Sequence, residues 1–565
     1  MEIDGNVVAK AGGVQRRLGG SRAVLFVFAM EGLENMAFVA NAVSLFTYFY
    51  GYMNFSITKS ATTLTNFMGT AFLLSLFGGF LSDTYLSRFT TCVLFGTFEI
   101  LGYGLLTVQA RVHQLRPTPC NSAAALSGGQ SAMLYIGLYL IALGTSGVKA
   151  ALPSLGADQF DTKKNPKDAG KLSSFFNWFL FSLTVGAIVG VTVVVWISAN
   201  VGWDWGFGLC GVAVLSAVVF VSMGKSLYRM NAPSGSPFVR FAQVFVAAIR
   251  NWNVPTPAAE DELYEIKEKG KGGINGEILQ RTHQFRFLDK AATISPTTGP
   301  KPWRLCTMTQ VEETKILIRM LPIILSTVFM NTCLAQLQTF TIQQSQTMDR
   351  NFLGFQIPGA SIPVIPLLFM FLLIPLYDRV FVPLARRLTG IPTGIRHLQR
   401  IGIGLVLSAV SMAVAGIVET KRKRVAVEHG MYSVFWLGFQ YAIFGAADMF
   451  TLVGLLEFFY SESSAGMKAL STAISWTSLA FGYFLSTVVV EVVNKVSGGW
   501  LESNNLNRDK LNYFYWLLAG LSVVNLGAYL LCASWYRYKE VEVVGEAAAR
   551  EGDGNEKRVE ETVVV

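Results

Sequence analysis

Long apolar runs alternate with shorter polar stretches along most of this 565-residue chain. A helix needs about 20 mainly apolar residues to cross the hydrocarbon core of a bilayer, and the runs are of that order. The pattern therefore predicts an all-α membrane protein with twelve transmembrane helices. We place them at residues 23–48, 60–82, 90–109, 131–153, 175–198, 205–224, 315–341, 360–377, 398–418, 432–457, 468–494 and 512–535.

The longest polar stretch between two runs separates the sixth run from the seventh, so the helices form two groups of six. Two bundles joined by a linker are the layout of transporters that rock about a central site. The predicted domains are an N-terminal segment (1–22), a six-helix bundle (23–224), a linker (225–314), a second six-helix bundle (315–538) and a disordered tail (539–565).

The distribution of basic residues predicts the orientation of the chain. An even number of spans places both termini on one side of the membrane. The basic stretches at 153–171, 228–315 and 379–400 fall on that side, which the positive-inside rule makes cytoplasmic. The basic run at 421–424 falls on the outer side in this count and contradicts the rule.

The composition of the chain limits the classes of function that we expect. The chain is 52% hydrophobic and 15% charged, and its net charge of +9 comes from basic residues between the apolar runs. Such an excess is usual for an integral membrane protein, and no nucleic-acid-binding pattern accompanies it, so we expect a lipid bilayer and not nucleic acid as a partner. We find no metal-ligand spacing, nucleotide loop or nucleophile–base constellation, so we expect neither an enzyme nor a metal or other cofactor.

Four ionisable residues interrupt the apolar runs: Glu31, Glu34, Lys149 and Asp448. A charge at this depth is costly unless it is paired or faces a wet cavity, so such residues usually serve a function. Glu31 and Glu34 project from one face of the first helix and cannot easily both ionise, which suits them to bind and release a proton. The alternative is that they form structural hydrogen bonds to neighbouring helices.

Lys149 requires an anionic partner because it is predicted to be buried. A carboxylate of the first helix, Asp448 or an anionic substrate would each serve, and a lysine that changes partner would act as a switch. A fixed structural ion pair is the alternative. Gln336 either lines a polar cavity or joins two helices, and Trp476 is the aromatic residue that we select as a substrate contact. A further carboxylate, Glu99, receives no role.

Several motifs resemble those of a known family. The segment 79–88, with Asp83 and Arg88, resembles the signature loop between helices two and three of the major facilitator superfamily. Longer motifs resemble the proton-coupled oligopeptide transporter family, in its plant nitrate/peptide transporter branch. They lie at residues 144–149, 157–161, 175–179, 235–237, 309–313, 398–402 and 457–460.

The resemblance implies a twelve-helix symporter that works by alternating access and is driven by the proton gradient. The first-helix motif of the family has two glutamates followed by a basic residue, and here Asn35 replaces the basic residue. Leu334 stands where a nitrate-transporting relative has a substrate-binding histidine, which argues against the same nitrate site. Thr91 matches a regulatory phosphorylation position of that relative, which would make a kinase a partner.

The sub-branch that this chain resembles contains importers of abscisic acid and gibberellin. We therefore expect a plasma-membrane symporter that imports a small organic anion, with a plant hormone as the favoured substrate. Glu31 and Glu34 would bind the proton; Lys149, Asp448, Gln336 and Trp476 would contact the substrate. The alternatives are a low-affinity nitrate, peptide or specialised-metabolite transporter, or a receptor built on a transporter fold.

Overall fold

The computed structural model describes most of the chain. The described residues are 19–55, 57–117, 128–160, 168–231, 233, 235–255, 263–265, 278–294, 301, 303–352, 355–356, 364–391, 393–428, 430–501, 506–507, 509–539 and 541–542. Within them, 12 helices are long and apolar enough to cross a membrane. Most of the predicted N-terminal segment and tail lies outside the described residues.

Six of these helices form the first half of the protein. The first is Ser21–Thr47, extended by a π-helical turn at Tyr48–Tyr52, and the second is Ile57–Leu73 followed by Ser75–Thr84. The others are Arg88–Arg111, Gly128–Ala157, Asp168–Val189 continuing through Gly190–Val194 and Val195–Asn200, and Trp203–Met223.

The second half repeats this count. Its helices, the seventh to the twelfth, are Met308–Gln346; Val364–Leu376 continuing through Tyr377–Phe381 and Val382–Thr389; His397–Val427; Leu437–Glu462; Lys468–Ser497; and Leu511–Trp535. Two antiparallel strands of two residues each, Asn351–Phe352 and Phe355–Gln356, follow the seventh helix.

The apolar core of the first half continues into the eighth, tenth and eleventh helices of the second half, which also has a core of its own. The eleventh helix contacts the second and fourth helices, and the eighth contacts the fifth. Small residues permit this approach: a Cβ atom at Gly79 would lie 2.8 Å from the carbonyl oxygen of Ala469. The eleventh helix is therefore the main bridge from the second half to the first.

The linker between the halves is folded where it is described. A helix at Pro237–Arg250, capped by Ser236, packs with Leu288 and Met308 in a small apolar core. Arg240 of this helix donates a hydrogen bond to the carbonyl oxygen of Gly466, in the turn between the tenth and eleventh helices. We call the membrane face that carries this linker the linker face.

The start of the predicted tail also lies on the linker face. The strand Ile278–Leu279 of the linker pairs antiparallel with Val541–Glu542. The backbone N–H of Lys539 donates to Glu462 at 2.9 Å. The tail is therefore attached to the second half through its first residues, while residues 543–565 lie outside the described part.

The basic run at 421–424 is not the outer loop that the sequence predicts. It forms the last turns of the ninth helix, His397–Val427. Arg422 is buried, and its guanidinium pairs with the carboxylate of Glu419 at 2.7 Å. Because Glu419 neutralises Arg422 inside the fold, this run contributes less positive charge to the membrane surface than its sequence suggests.

Candidate functional site

A buried ion pair lies at the centre of the first half. The ammonium of Lys149, on the fourth helix, is 3.2 Å from the carboxylate of Glu34, on the first helix. It also donates to the side-chain oxygen of Asn35 at 3.4 Å. Both charged side chains are buried, Lys149 being 2% exposed and Glu34 fully enclosed, so neither relies on water for its stabilisation.

The contacts of Asn35 show how an amide can replace the basic residue that the resembling family motif has at this position. Its side-chain N–H donates to the carbonyl oxygen of Leu183 on the fifth helix at 2.9 Å, while its oxygen faces Lys149. The amide thus binds a cation on one side and a backbone acceptor on the other. A basic side chain at this position would repel Lys149 and could not accept its hydrogen bond.

Glu31 lies one turn before Glu34 on the same buried face of the first helix. It is fully buried, and neither of its carboxyl oxygens has a hydrogen-bond partner among the described residues. The charges of Lys149 and Glu34 both act on it. A carboxyl group so placed, with no donor to stabilise its negative charge, is suited to holding a proton.

Trp476 of the second half packs over Lys149. Its indole N–H donates to the backbone carbonyl of Lys149 at 3.0 Å, and its ring lies 5.2 Å from the ammonium. The ring of Phe38 lies 4.8 Å from the same ammonium, and Phe72 stacks on Trp476. Lys149 is therefore enclosed by aromatic faces that favour a cation.

Of the partners that the sequence left open for Lys149, Asp448 is not the one that pairs with it in this structure. It is half-buried on the tenth helix, and its charge acts on Tyr483 of the eleventh helix. Tyr483 donates to the exposed side chain of Gln338 at 2.8 Å. Asp448, Tyr483 and Gln338 form a polar group in the second half, which we call the second-half polar group.

Gln336 belongs to a different part of the structure. It is buried, and its amide donates to the backbone and side-chain oxygens of Ser486 at 2.9 and 2.8 Å. Of the two roles that the sequence leaves open, this geometry is that of a residue joining the seventh and eleventh helices. Gln338, two positions later, projects from a different side of the seventh helix and contacts Tyr483 instead.

Sequence reasoning did not single out Tyr483 or Phe38. A signal was available for Tyr483, since it lies two helical turns after Trp476 and so shares its face of the eleventh helix. None was available for Phe38, one of the 41 phenylalanines of the chain. No group of three or more metal-ligating side chains in the described residues is arranged to hold a metal ion.

The predicted signature-loop residues clamp the two halves together at the linker face. The carboxylate of Asp83 accepts hydrogen bonds from the backbone N–H groups of Ala469 and Leu470, at 3.3 and 2.7 Å. These N–H groups open the eleventh helix, where the helix dipole favours a negative charge. Arg88 lies 3.7 Å from Asp83 and pairs with Asp158, which directly follows the fourth helix.

A second group of contacts closes the same face. Ser174, Asn177 and Trp178 of the fifth helix all donate to the carboxylate of Asp378, at 2.8 to 2.9 Å. The side-chain oxygen of Asn177 also accepts from Arg400 at 2.6 Å. The halves are thus joined by hydrogen bonds at two places on the linker face, and the structure is closed towards that side.

Two further residues are buried near the linker face in this closed structure. Glu457, near the end of the tenth helix, is buried and lies 3.5 Å from Arg400. The hydroxyl of Thr91 is buried and donates to the carbonyl oxygen of Ser87. A kinase could not reach Thr91 in this conformation, so its phosphorylation would require the third helix to open at its start.

Comparison with known proteins agrees with this architecture. A family model described as the POT family matches residues 89–506. The chain belongs to the POT family. NRT1/PTR FAMILY 4.5 of Arabidopsis thaliana is 44% identical to it over 541 residues, which span 92% of this chain and 94% of the relative. NRT1/PTR FAMILY 4.6 of the same plant is 42% identical, over 93% of this chain and 95% of the relative.

Solved POT structures share the fold. The crystal structure of the transporter PepTSo superposes with a TM-score of 0.60 at 18% identity and covers 91% of this chain and 98% of that one. An auto-inhibited POT peptide transporter gives 0.59 at 17% identity, with 92% and 98% covered. The predicted fold and the predicted family are both confirmed. The protein is a multi-pass membrane transporter of a family that couples small-molecule transport to protons.

Proposed function

We propose that this POT family member is a proton symporter that imports a small organic carboxylate. The observation that carries the proposal is the position of Lys149. It is the cation of a buried ion pair in the first half, and it is also bonded through its backbone to Trp476 of the second half. An anion bound between the halves would meet this ammonium first.

In this mechanism the carboxylate of Glu34 and the carboxylate of the substrate exchange places on one cation, Lys149. When the substrate carboxylate binds Lys149, Glu34 loses its counter-charge and takes up a proton from the opposite face. When the substrate leaves, Glu34 releases that proton and pairs with Lys149 again. Each step keeps the buried site neutral, which avoids the cost of an uncompensated charge. Glu31, one turn away, would hold a second proton.

The geometry links this exchange to the opening of the linker face. Trp476 and the N–H groups bound by Asp83 lie on the same helix, about two turns apart. A displacement of Trp476 by substrate therefore acts on the clamp through a rigid element. Alternating access follows if the eleventh helix changes its contacts to the first half when Lys149 changes its partner.

The surroundings of the site favour a weakly acidic, largely apolar substrate. Lys149 would bind its carboxylate, and the rings of Phe38, Phe72 and Trp476 would contact its apolar body. The second-half polar group offers hydrogen-bond partners for a hydroxyl or carbonyl group at the other end of the molecule. Abscisic acid and gibberellin have this combination, so we propose a plant hormone as the substrate.

A peptide is the second candidate, favoured by one observation. Asp448 would bind the amino group of a peptide while Lys149 binds its carboxylate, because the two residues lie on opposite halves. One of the solved POT structures contains alafosfalin and another 5-aminolevulinic acid. Nitrate is less favoured, since Leu334 offers no hydrogen bond to a small anion.

We also propose the orientation and location predicted from the basic residues. The linker face would be cytoplasmic, with both termini on that side, and the membrane would be the plasma membrane. Closure of the linker face then prepares the protein to accept substrate from outside. Labelling of a tag at either terminus, before and after permeabilising the cell, tests this orientation directly.

Uptake in oocytes tests the function. The assay compares labelled abscisic acid, gibberellin, nitrate and a dipeptide at an acidic and a neutral external pH. We expect acid-stimulated uptake of a carboxylate that is lost in Lys149→Ala and Glu34→Gln but kept in Lys495→Ala, which removes an exposed lysine of the eleventh helix. Acid-stimulated uptake that survives Lys149→Ala would contradict the mechanism, and binding without uptake would indicate a receptor.

A further inference from the structure

Glu99 is a third buried carboxyl group beside the central ion pair, and the proposed mechanism does not use it. It lies on the third helix and is fully buried. One of its oxygens accepts a hydrogen bond from the hydroxyl of Thr145 at 3.1 Å. The other oxygen has no hydrogen-bond partner among the described residues.

The packing of two helices fixes the position of Glu99. A Cβ atom at Gly144 would lie 2.5 Å from the Cβ atom of Glu99, so the fourth helix can approach the third this closely only with glycine there. Thr145, the residue that binds Glu99, lies one turn before Lys149 and on the same face of the fourth helix. Lysine side chains lean towards the start of a helix, which brings the ammonium nearer to Glu99.

The charged groups that act on the carboxyl group of Glu99 are Glu31 and Glu34 on the first helix and Lys149 on the fourth. The other titratable groups near it are the thiol of Cys210 on the sixth helix and the hydroxyl of Tyr103 on its own helix, both neutral. Lys149 is the cation that acts on all three carboxyl groups. One positive charge therefore faces three groups that can each become negative.

Neutrality limits how many of these carboxyl groups ionise together. If all three lost their protons, the buried group would carry two uncompensated negative charges, which is strongly destabilising. Glu34 is the carboxylate paired with Lys149. The closed state is therefore neutral when Glu31 and Glu99 each hold a proton.

We propose that Glu99 is a proton-carrying residue of the transport cycle, in addition to the glutamates of the first helix. Its carboxylate takes a proton from the solution on the face opposite the linker face once the linker face has closed. Its carboxylic acid gives that proton to the linker-face solution when the site opens there and water can stabilise the charge. The inference rests on the proposed proton symport and adds a proton-binding group to it.

A structural role would leave a different signature. If Glu99 kept its proton in every state, it would only hold the third helix to Thr145. Replacement by glutamine, which has the same shape and no charge, would then preserve both the number of protons moved and the dependence of uptake on pH. The measurement must therefore count protons and not only measure activity.

The test measures charge movement and labelled substrate uptake in the same oocytes. Glu99→Gln is expected to lower the number of charges moved per substrate by about one and to make the pH dependence of uptake less steep. Thr145→Val removes the donor to the carboxylate and is expected to raise the pH of half-maximal uptake by about half to one unit. Thr107→Val is the matched control, because among the described residues the hydroxyl of Thr107 donates to the backbone carbonyl of Tyr103 on its own helix and not to Glu99.

The outcomes separate this inference from the proposed function. An unchanged charge-to-substrate ratio in Glu99→Gln, with surface expression intact, would overturn the inference while leaving the symport in place. If Glu99→Gln does not reach the surface, the pH profile of Thr145→Val decides, and a profile equal to that of Thr107→Val overturns the inference. A wild-type protein without acid-stimulated uptake would overturn the proposed function, and this inference with it.

Discussion

The indole N–H of Trp476 donates a hydrogen bond to the backbone carbonyl of Lys149 at 3.0 Å and so joins the two halves of the protein at the buried ion pair. A backbone acceptor keeps the ammonium of Lys149 available to Glu34. The contact therefore reports on closure without occupying the charge that the substrate needs. Its loss should affect the conformational step and the binding step differently.

Trp476→Phe removes the N–H donor and keeps an aromatic ring. The hydrogen bond stabilises the closed linker face, the state that accepts substrate, by on the order of 1 kcal/mol, so its loss should lower the population of that state and raise the KM for substrate about threefold to tenfold. Trp476→Ala, which also loses the ring beside Lys149, should raise it further. Uptake kinetics provide the measurement, and Trp436→Phe, at the far end of the tenth helix, is the control. Equal KM values for Trp476→Phe and the wild type would refute a role for this hydrogen bond.

The two glutamates of the first helix should differ in their contributions to stability. Glu34→Gln leaves the buried Lys149 without its counter-charge and is expected to lower the free energy of unfolding by on the order of 3 kcal/mol. Glu31→Gln replaces a side chain that has no hydrogen-bond partner among the described residues, so its effect should stay within about 1 kcal/mol. Thermal unfolding of the purified proteins in detergent measures both. Equal losses would show that Glu31 is also an ionised partner of Lys149.

The sequence could predict the twelve helices because a backbone in lipid must satisfy its own hydrogen bonds, and the apolar pattern marks where lipid lies. It could not predict the helix ends. The seventh helix begins at Met308, seven residues before the predicted start, because a capping box formed by Thr307 and Gln310 continues it into polar sequence. An ion pair between Glu312 and Lys315 stabilises this polar turn.

The sequence marked some of the residues that meet at the ion pair, but not which of them pair. The cost of a charge in lipid marks Glu34 and Lys149 from composition alone. Which carboxylate faces Lys149 depends on the rotation and packing of three helices, so the sequence left Asp448 as an equal candidate. Glu99 received no role for the same reason, because its relation to Thr145 exists only once the third and fourth helices pack.

Asp83→Asn should loosen the linker face. The substitution removes the negative charge at the start of the eleventh helix, an interaction worth about 0.3–2 kcal/mol. We expect a cysteine placed at Ser154, which is buried against Thr472, to react with a maleimide about twofold to tenfold faster in this background. Asp204→Asn, at the far end of the sixth helix, is the control. An unchanged rate would show that Asp83 does not hold the halves together.

The ion pair between Glu419 and Arg422 should be structural, because it lies at the end of the ninth helix remote from the linker face. Arg422→Leu leaves Glu419 buried without a cation and is expected to lower the free energy of unfolding by about 3–5 kcal/mol. Adding Glu419→Gln removes the unpaired charge, so the double variant should recover most of this loss. Arg424→Leu, at an exposed position two residues away, should stay within about 0.5 kcal/mol. Thermal unfolding of the three variants decides, and a double variant no more stable than Arg422→Leu would refute the pairing as the cause.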